Sequence, residues 1–125
     1  MNSEKLSQFA GEKYINLETF RKNGNAVATP VWFAQDGSVL YIYSLADAGK
    51  VKRIRNSPRV RVAPCDVRGK LKGAWTEGRA QILPANEADK VHRLLDKKYG
   101  LIKKIGNLFR MLMKRERTVI AIEFD

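Results

Sequence analysis

The sequence is poor in residues that make covalent or metal cross-links, since it holds only one cysteine, Cys65, and one histidine, His92. A single cysteine cannot form a disulfide within the chain, and the two residues together cannot supply the usual Cys and His ligands of a zinc site. We therefore expect no metal site, and we interpret Cys65 as inert packing and His92 as a surface or packing residue.

Long apolar runs are also missing, and none approaches the ~20 residues of a membrane-spanning helix. The first residues, MNSEKLSQFAGEKY, are charged and polar where a secretory signal would need an apolar core. We expect a cytoplasmic protein that does not interact with membranes. Because the 125 residues show no repeat, linker or low-complexity segment, we expect a single domain over 1–125.

Acidic residues are scarce, since 13 Asp and Glu stand against 24 Lys and Arg and the formal net charge is +11. A field of that sign favours anionic partners. Charge alone does not choose among nucleic acid, an acidic membrane surface and a phosphorylated small molecule.

The first half of the chain has the pattern of a β-meander. Tyr14 to Phe20, Ala26 to Ala34 and Val39 to Ser44 are rich in β-branched and aromatic residues, and the turn dipeptides Asn23-Gly24 and Asp36-Gly37 separate them. We predict three consecutive antiparallel strands. The third is apolar on both faces, which favours a barrel or a buried interface. Because a proline cannot donate to a ladder, Pro30 indicates an edge or a bulge in the second strand.

The second half adds helices to further strands. We predict the remaining elements as follows: a short helix with Val51 and Ile54 buried, a strand from Arg59 to Ala63, a turn over Asp66 to Gly69, one strand or two from Leu71 to Leu83 with an interruption near Gly78, a helix from Pro84 to Gly100, a second helix over 101–113, and a strand from Thr118 to Phe124. The count of six strands predicts a β-rich α+β fold, in the form of a small barrel.

The short helix near residue 50 concentrates positive charge, because Lys50, Lys52, Arg53 and Arg55 lie within six residues. A cation in the first helical turn opposes the helix dipole, and a bound anion would reverse that effect. The free amides of a helix start, with Gly49 before Lys50, can form a phosphate site. A solvated basic face is about as common an explanation for such a run.

A family resemblance favours the phosphate site. The stretch NAVATPVWFAQDGSVLYIYSLADAGKVKRIRNSPRVRVAPCD, together with GAWTEGRAQIL, KKYGL and VIAIEF, resembles the pyridoxamine 5'-phosphate oxidase-like split β-barrels, in particular their F420-dependent oxidoreductase branch. The resemblance covers nearly the whole chain after about Phe9. It implies a six-stranded FMN-binding-type split β-barrel with short flanking helices, which forms a homodimer with two flavin-type cofactor sites at the subunit interface.

The resemblance also implies which residues bind the cofactor. Lys50 corresponds to the phosphate-binding lysine, and Lys52 and Arg55 are helpers toward the phosphate or an acidic tail. The residues implied to lie along the ring are Thr29, Pro30, Val31 and Trp32 on one strand, Tyr43 and Ser44 on its neighbour, and Trp75 from the partner subunit. Gly49 stands where many FMN-using oxidases of the wider family have an arginine, which favours F420 over FMN.

The function expected from these residues is hydride transfer between bound F420 and a small organic acceptor. Because the cofactor supplies such chemistry, we predict no catalytic side chain. FMN-dependent pyridoxamine 5'-phosphate oxidase-like activity and a non-catalytic cofactor carrier are the alternatives. A more remote alternative is nucleic-acid binding by the basic run from Lys97 to Arg117, in which only Tyr99 and Phe109 are aromatic. Both lie on the predicted apolar stripe, so we expect no nucleic-acid partner.

Overall fold

The computed structural model describes residues 6–46, 48–84, 87, 90–91, 93–94, 97 and 117–124. Seven strands and one helix have defined bounds. The strands are β1 (Tyr14–Phe20), β2 (Ala26–Trp32), β3 (Ala34–Asp36), β4 (Val39–Leu45), β5 (Arg59–Cys65), β6 (Thr76–Leu83) and β7 (Arg117–Phe124), and α1 spans Gly49–Asn56. All neighbouring strands are antiparallel, in the order β2-β1-β5-β6-β7-β4-β3.

Phe33 explains why the sheet has seven strands and not the predicted six. The segment expected as one strand from Ala26 to Ala34 breaks at this residue, and its two parts pair with different strands, β2 with β1 and β3 with β4. β2 and β3 are the two edges of the sheet, yet one residue joins them. The sheet must therefore curl until its edges approach, which closes the predicted split β-barrel. The prediction of three consecutive antiparallel strands was wrong between the second and third strands, because β2 does not pair with β4.

The barrel interior is filled by the inward-facing side chains of the strands and by one face of α1. Its largest fully buried side chains are Phe9, Phe33, Ile15, Leu17, Leu40, Ile42, Ile120, Ile122, Val51, Val60 and Val62. The Phe9 and Phe33 rings meet edge to face at 6.2 Å between centroids, a favoured aromatic geometry.

Strand β4 is apolar on both faces because each face has something to cover. Leu40 and Ile42 point into the barrel, whereas Tyr41 and Tyr43 pack in a second cluster. That cluster contains Val91, from the helical residues that follow β6. The outer face of β4 is apolar because helical residues pack against it on the outside of the barrel. The prediction that neither face is fully solvated is confirmed.

The turns follow the predicted dipeptides. Gly24, Gly37 and Gly69 have φ values of +88°, +60° and +90°, which glycine adopts without steric cost. The Gly69 turn is closed by a backbone hydrogen bond of 3.0 Å from its N–H to the Asp66 carbonyl. Pro30 lies on the edge strand β2, as its missing N–H predicted.

The predicted strand from Leu71 to Leu83 is shorter than expected and has no interruption at Gly78. Ladder pairing begins at Thr76, and Leu71 forms only an isolated bridge with Cys65. Gly78 is needed for close packing instead, because a Cβ atom there would lie 2.7 Å from the Glu123 carbonyl oxygen. Glycine lets β7 approach β6 without breaking the strand.

Part of the predicted helical region falls outside the described residues. Residues 90, 91, 93, 94 and 97 are helical, in agreement with the first predicted helix. The second predicted helix, His92 and most of the basic run lie outside the described residues. Within the part of the chain that the structure describes, no helix is long and apolar enough to cross a membrane.

Candidate functional site

Helix α1 is held by its apolar face and leaves its first turn open. Val51 and Ile54 are buried in the barrel, and the helix packs against β1 and β6. Ala48 at the N-cap offers no side-chain cap, and the first turn contains no acid. Among the described residues, nothing accepts a hydrogen bond from the backbone N–H of Gly49 or Lys50. Such amides are available to an anion.

Lys50 is partly buried. Burial, and then the positive charge of Arg53, lower the pKa of Lys50 below its ordinary value. No carboxylate of the described residues lies in ion-pair range of it. A desolvated cation next to another cation is unfavourable unless an anion accompanies both.

Arg53 is the near neighbour of Lys50, one turn further along α1. Its Nε donates a 2.6 Å hydrogen bond to Oγ1 of Thr19, a fully buried residue of β1. Its guanidinium folds back over the helix start, so that a Cβ atom on Gly49 would lie 2.8 Å from Nη1. Burial, and then the charge of Arg21, lower the pKa of Arg53. Arg53 therefore lies near two other cations, Lys50 and Arg21, and none of the three forms an ion pair with a described acid.

Lys52 and Arg55 occupy a different side of α1. Both are exposed, and at 100° per residue Lys52 lies about 200° around the helix from Lys50. Their role toward a phosphate or an acidic tail stays a prediction. The geometry favours Arg53 over either of them as the immediate partner of Lys50.

The predicted residues of β2 lie on an edge strand of the sheet, which pairs with β1. Thr29 pairs with Leu17, and Val27 with Thr19. Directly paired residues share a face, so Thr29 lies on the face that carries the hydroxyl anchor of Arg53. Val31 packs on the barrel core, and Pro30 is exposed on the opposite face.

The remaining strand residues of the predicted cofactor site, Trp32, Tyr43 and Ser44, do not all lie on the same side of the sheet. Trp32 and Tyr43 are partly buried and pack together in the outer cluster. Ser44 points to the other side, is buried, and donates its hydroxyl to the Leu45 carbonyl at 3.0 Å. The structure therefore brings Trp32 and Tyr43 together and separates Ser44 from them.

Trp75 lies on the connection between β5 and β6, away from α1. The Arg61 guanidinium lies 5.0 Å from the centroid of its ring, which is cation–π range. Glu18 accepts a hydrogen bond from Arg61 and raises the pKa of that guanidinium. Within one chain Trp75 thus contacts an ion pair of β1 and β5, and its reach into a partner's site stays a prediction.

Sequence reasoning counted Arg53 in the cationic run without assigning it a binding role, and it missed Arg21 and Thr19. The spacing of three residues between Lys50 and Arg53 puts them on one helix face and was a usable signal. Arg21 and Thr19 lie about thirty residues earlier, and only the packing of α1 on β1 reveals their proximity.

Two further observations limit the chemistry of this site. Burial raises the pKa of the Cys65 thiol, so it stays protonated near neutral pH and is a poor nucleophile. In the described part of the chain, no group of three or more His, Cys, Asp or Glu residues is placed to hold a metal ion.

A curled antiparallel sheet whose two edge strands are joined by a single residue, with a short helix packed on β1 and β6, has the architecture of a split β-barrel. The chain belongs to the family described as pyridoxamine 5'-phosphate oxidase, which it matches over residues 2–125. The resemblance that the sequence motifs indicated is thereby confirmed. No curated protein matches the sequence.

Several solved structures share the fold. A structure named F420 reductase is 22% identical with a TM-score of 0.62, and the match covers 94% of this chain and 90% of that one. An FAD-binding protein from Mesorhizobium loti is 20% identical, TM-score 0.64, covering 100% and 89%. HutZ, the heme storage protein from Vibrio cholerae, is 12% identical, TM-score 0.72, covering 99% and 89%. At these identities the likeness concerns the fold alone.

Proposed function

We propose that the protein is an F420-dependent oxidoreductase in which Lys50 and Arg53 bind the phosphate of the cofactor. The observation that carries the proposal is the pair of cations at the start of α1: Lys50 is partly buried, the Arg53 guanidinium lies over Gly49, and no carboxylate of the described residues forms an ion pair with either. Family membership and the F420 reductase among the structural neighbours support a flavin-type cofactor.

The donor set fits the anionic part of such a cofactor. The open amides of Gly49 and Lys50, one ammonium and one guanidinium are donors only, and charge-assisted hydrogen bonds to phosphate oxygens are among the strongest that proteins make. Arg53 needs no rearrangement for this role, because Thr19 already fixes its Nε and leaves its two terminal nitrogens to a ligand.

The bound cofactor would supply hydride chemistry. The chain's own residues would orient it and exclude water. Among the described strands β2 pairs only with β1, so a planar ring would meet the backbone groups of Thr29 to Trp32 on the other side of β2. Trp32 and Tyr43 provide an aromatic wall next to it.

We also propose that two copies of the chain complete the site. Val67 and Leu71, on the connection between β5 and β6, are large apolar side chains with 63% and 43% of their surface exposed. A second copy would cover them, and it would bring its Trp75, which lies on the same connection, toward the site. Light scattering that reports a monomer at micromolar concentration would contradict this part of the proposal.

The decisive experiment titrates the purified apoprotein with F420 and with FMN side by side and follows fluorescence. We expect F420 to bind more tightly, and we expect its dissociation constant to rise as salt is added, because ions screen the attraction between the cations and the cofactor. Salt-independent binding would contradict a cationic site. Turnover with an electron-poor acceptor then separates an enzyme from a carrier.

FMN is the second candidate, and one observation favours it. Gly49 lacks the arginine side chain expected for FMN-using relatives, but the guanidinium of Arg53 fills the space above it. Position 49 by itself therefore does not disfavour a phosphate monoester. Tighter binding of FMN than of F420 in the same titration would establish this alternative.

The pH dependence of binding offers an independent check on Lys50. A lysine carries its charge below its pKa, and burial with Arg53 lowers that pKa from 10.5. We expect affinity for the anionic cofactor to fall as pH rises through the lowered pKa of Lys50, at a lower pH than an ordinary lysine would allow. In Lys50→Arg the charge persists, so the alkaline loss should disappear. An identical profile in both proteins would show that Lys50 is not the titrating group.

A further inference from the structure

The β5–β6 connection, residues 66–75, is longer than two antiparallel neighbouring strands need. About two to five residues are enough to join such a pair. Its first part is closed by its own turn, since Oδ1 of Asp66 accepts hydrogen bonds of 2.9 Å from the backbone N–H groups of Arg68 and Lys70. The last part lies beyond this turn and needs another support.

The side chain of Gln8 supplies this support. No backbone hydrogen bond between described residues holds Gly73, Ala74 or Trp75. Instead, Oε1 of Gln8 accepts a 3.1 Å hydrogen bond from the Ala74 N–H, and Nε2 donates one of 3.0 Å to the Ala74 carbonyl. Nε2 also donates to Oγ1 of Thr76 at 3.1 Å. One amide group thus holds the residues on both sides of Trp75.

The contact between Gln8 and Ala74 has the form of a strand pairing. A neighbouring strand can satisfy both the N–H and the C=O of one residue, and the Gln8 amide does the same for Ala74 across 66 positions of the chain. Only one orientation of the amide fits, because its oxygen meets a donor and its nitrogen meets two acceptors. Gly73 permits this close approach, since a Cβ atom there would lie 2.7 Å from Oε1 of Gln8.

The segment that carries Gln8 is itself fixed to the barrel. Leu6 and Phe9 are buried in the core, and the Phe9 N–H donates a 3.1 Å hydrogen bond to the Leu6 carbonyl. Further along the same segment, Glu12 forms an ion pair of 2.8 Å with Lys72. The β5–β6 connection is therefore tied to the barrel core through Gln8 and Glu12.

Trp75 is the residue whose place this arrangement determines. Gln8 holds the residues on either side of it, and the Arg61 guanidinium lies 5.0 Å from the centroid of its ring. The side chain still keeps part of its surface exposed. An exposed aromatic surface that is already held in one place is suited to an interface, because less conformational entropy is lost on association.

We propose that Gln8 is a positioning residue for the interface between two copies of the chain, and that it sets the place of Trp75 through Ala74 and Thr76. The inference rests on the proposed function, in which Trp75 of one copy completes the cofactor site of the other. Gln8 acts through Trp75 and contacts neither the cofactor nor the acceptor.

The first test follows Trp75 and Ala74 in the apoprotein. The chain has two tryptophans, so fluorescence reports Trp75 alone in a Trp32→Phe background, and hydrogen exchange of the Ala74 amide is measured without that change. We expect Gln8→Ala to increase acrylamide quenching of Trp75 about twofold and to speed the exchange about tenfold, because the supporting hydrogen bonds are lost. Gln8→Glu should behave like Gln8→Ala, because one carboxylate oxygen would face the Ala74 carbonyl. Values in Gln8→Glu equal to those of the parent protein would mean that the side chain only fills space, which overturns the proposal.

The matched control is Gln35→Ala, which removes another glutamine amide that is bonded to the backbone. Its Nε2 donates to the Gly37 carbonyl at 3.1 Å, in the turn between β3 and β4. Quenching of Trp75 and exchange at Ala74 should be unchanged in this variant. An equal change in Gln35→Ala, or no change in Gln8→Ala, overturns the proposal.

A double-mutant cycle separates positioning from general stability. We expect Gln8→Ala to raise the dissociation constant of the dimer about threefold to tenfold, as measured by sedimentation. In a Trp75→Ala background the same change should have less than about a twofold effect, because the residue that Gln8 positions is absent. Equal effects in the two backgrounds would mean that Gln8 only stabilises the fold, and they would overturn the proposal.

Titration of the same four proteins with F420 distinguishes this inference from the proposed function. If the dimer constants show the coupling and F420 binds to none of the proteins, the positioning role is supported and the proposed cofactor is wrong. If F420 binds to the parent protein and the dimer constants show no coupling, the positioning role is wrong and the proposed cofactor is supported. A protein that sediments as a monomer at micromolar concentration overturns the positioning role together with the proposal that two copies complete the site.

Discussion

Replacing Lys50 with alanine is expected to weaken F420 binding about tenfold to a hundredfold, because one charge-assisted contact contributes ~1.5–3 kcal/mol. Arg53→Gln should have an effect of similar size, since its guanidinium lies over the same helix start. The two losses should not add, because both side chains contact one anion and the remaining cation gains from reduced repulsion. Fluorescence titration of the two single variants and the double variant measures this coupling.

The control for this prediction lies on the same helix. Lys52→Ala removes an equal charge from the exposed side of α1, and we expect less than about a threefold change from the long-range field alone. If Lys52→Ala weakens binding as much as Lys50→Ala, the anion does not sit at the face shared by Lys50 and Arg53. If neither change has an effect, the phosphate site is elsewhere.

Replacing Phe33 with alanine is expected to reduce the free energy of unfolding by about 3–5 kcal/mol. The ring is fully buried and meets Phe9 edge to face, so truncation leaves a cavity at the one residue that joins both edges of the sheet. That loss is a large fraction of the total stability of a domain of this size. Urea denaturation followed by circular dichroism measures it.

Two other substitutions make the stability prediction testable even if Phe33→Ala does not fold. Phe33→Leu keeps most of the apolar volume and should give a smaller, measurable loss. Gln81→Ala removes an exposed side chain of β6 and should change stability by less than about 0.5 kcal/mol. A Phe33→Ala protein as stable as Gln81→Ala would show that the junction between β2 and β3 does not hold the barrel closed.

Local patterns in the sequence predicted individual elements well. β1 has the predicted bounds, β4 is one residue longer than predicted, and α1 buries the two residues expected. Each of these depends on neighbouring residues alone: alternating apolar side chains, a turn dipeptide or a spacing of three. The reason for a glycine at position 78 could not be predicted from neighbouring residues. Gly78 lies close to the Glu123 carbonyl oxygen, which belongs to a strand more than forty residues away.

In the candidate site, too, some residues could be predicted from the sequence and others are brought together only by the folded structure. The sequence predicted Lys50, because a lysine in the first turn of a helix opposes the helix dipole. The family resemblance implied Lys52 and Arg55 as helpers, and these roles stay predictions, whereas the structure places Arg53 near Lys50 and Arg21 near Arg53.

The sequence by itself determined the elements, the excess of positive charge and the family. Tertiary structure decided that Phe33 turns one strand into two edges of a barrel, and that Thr19 of β1 fixes the side chain of Arg53. The physical reason is that secondary structure and composition follow from local propensity, whereas desolvation and repulsion among cations depend on distances that exist only after the barrel closes.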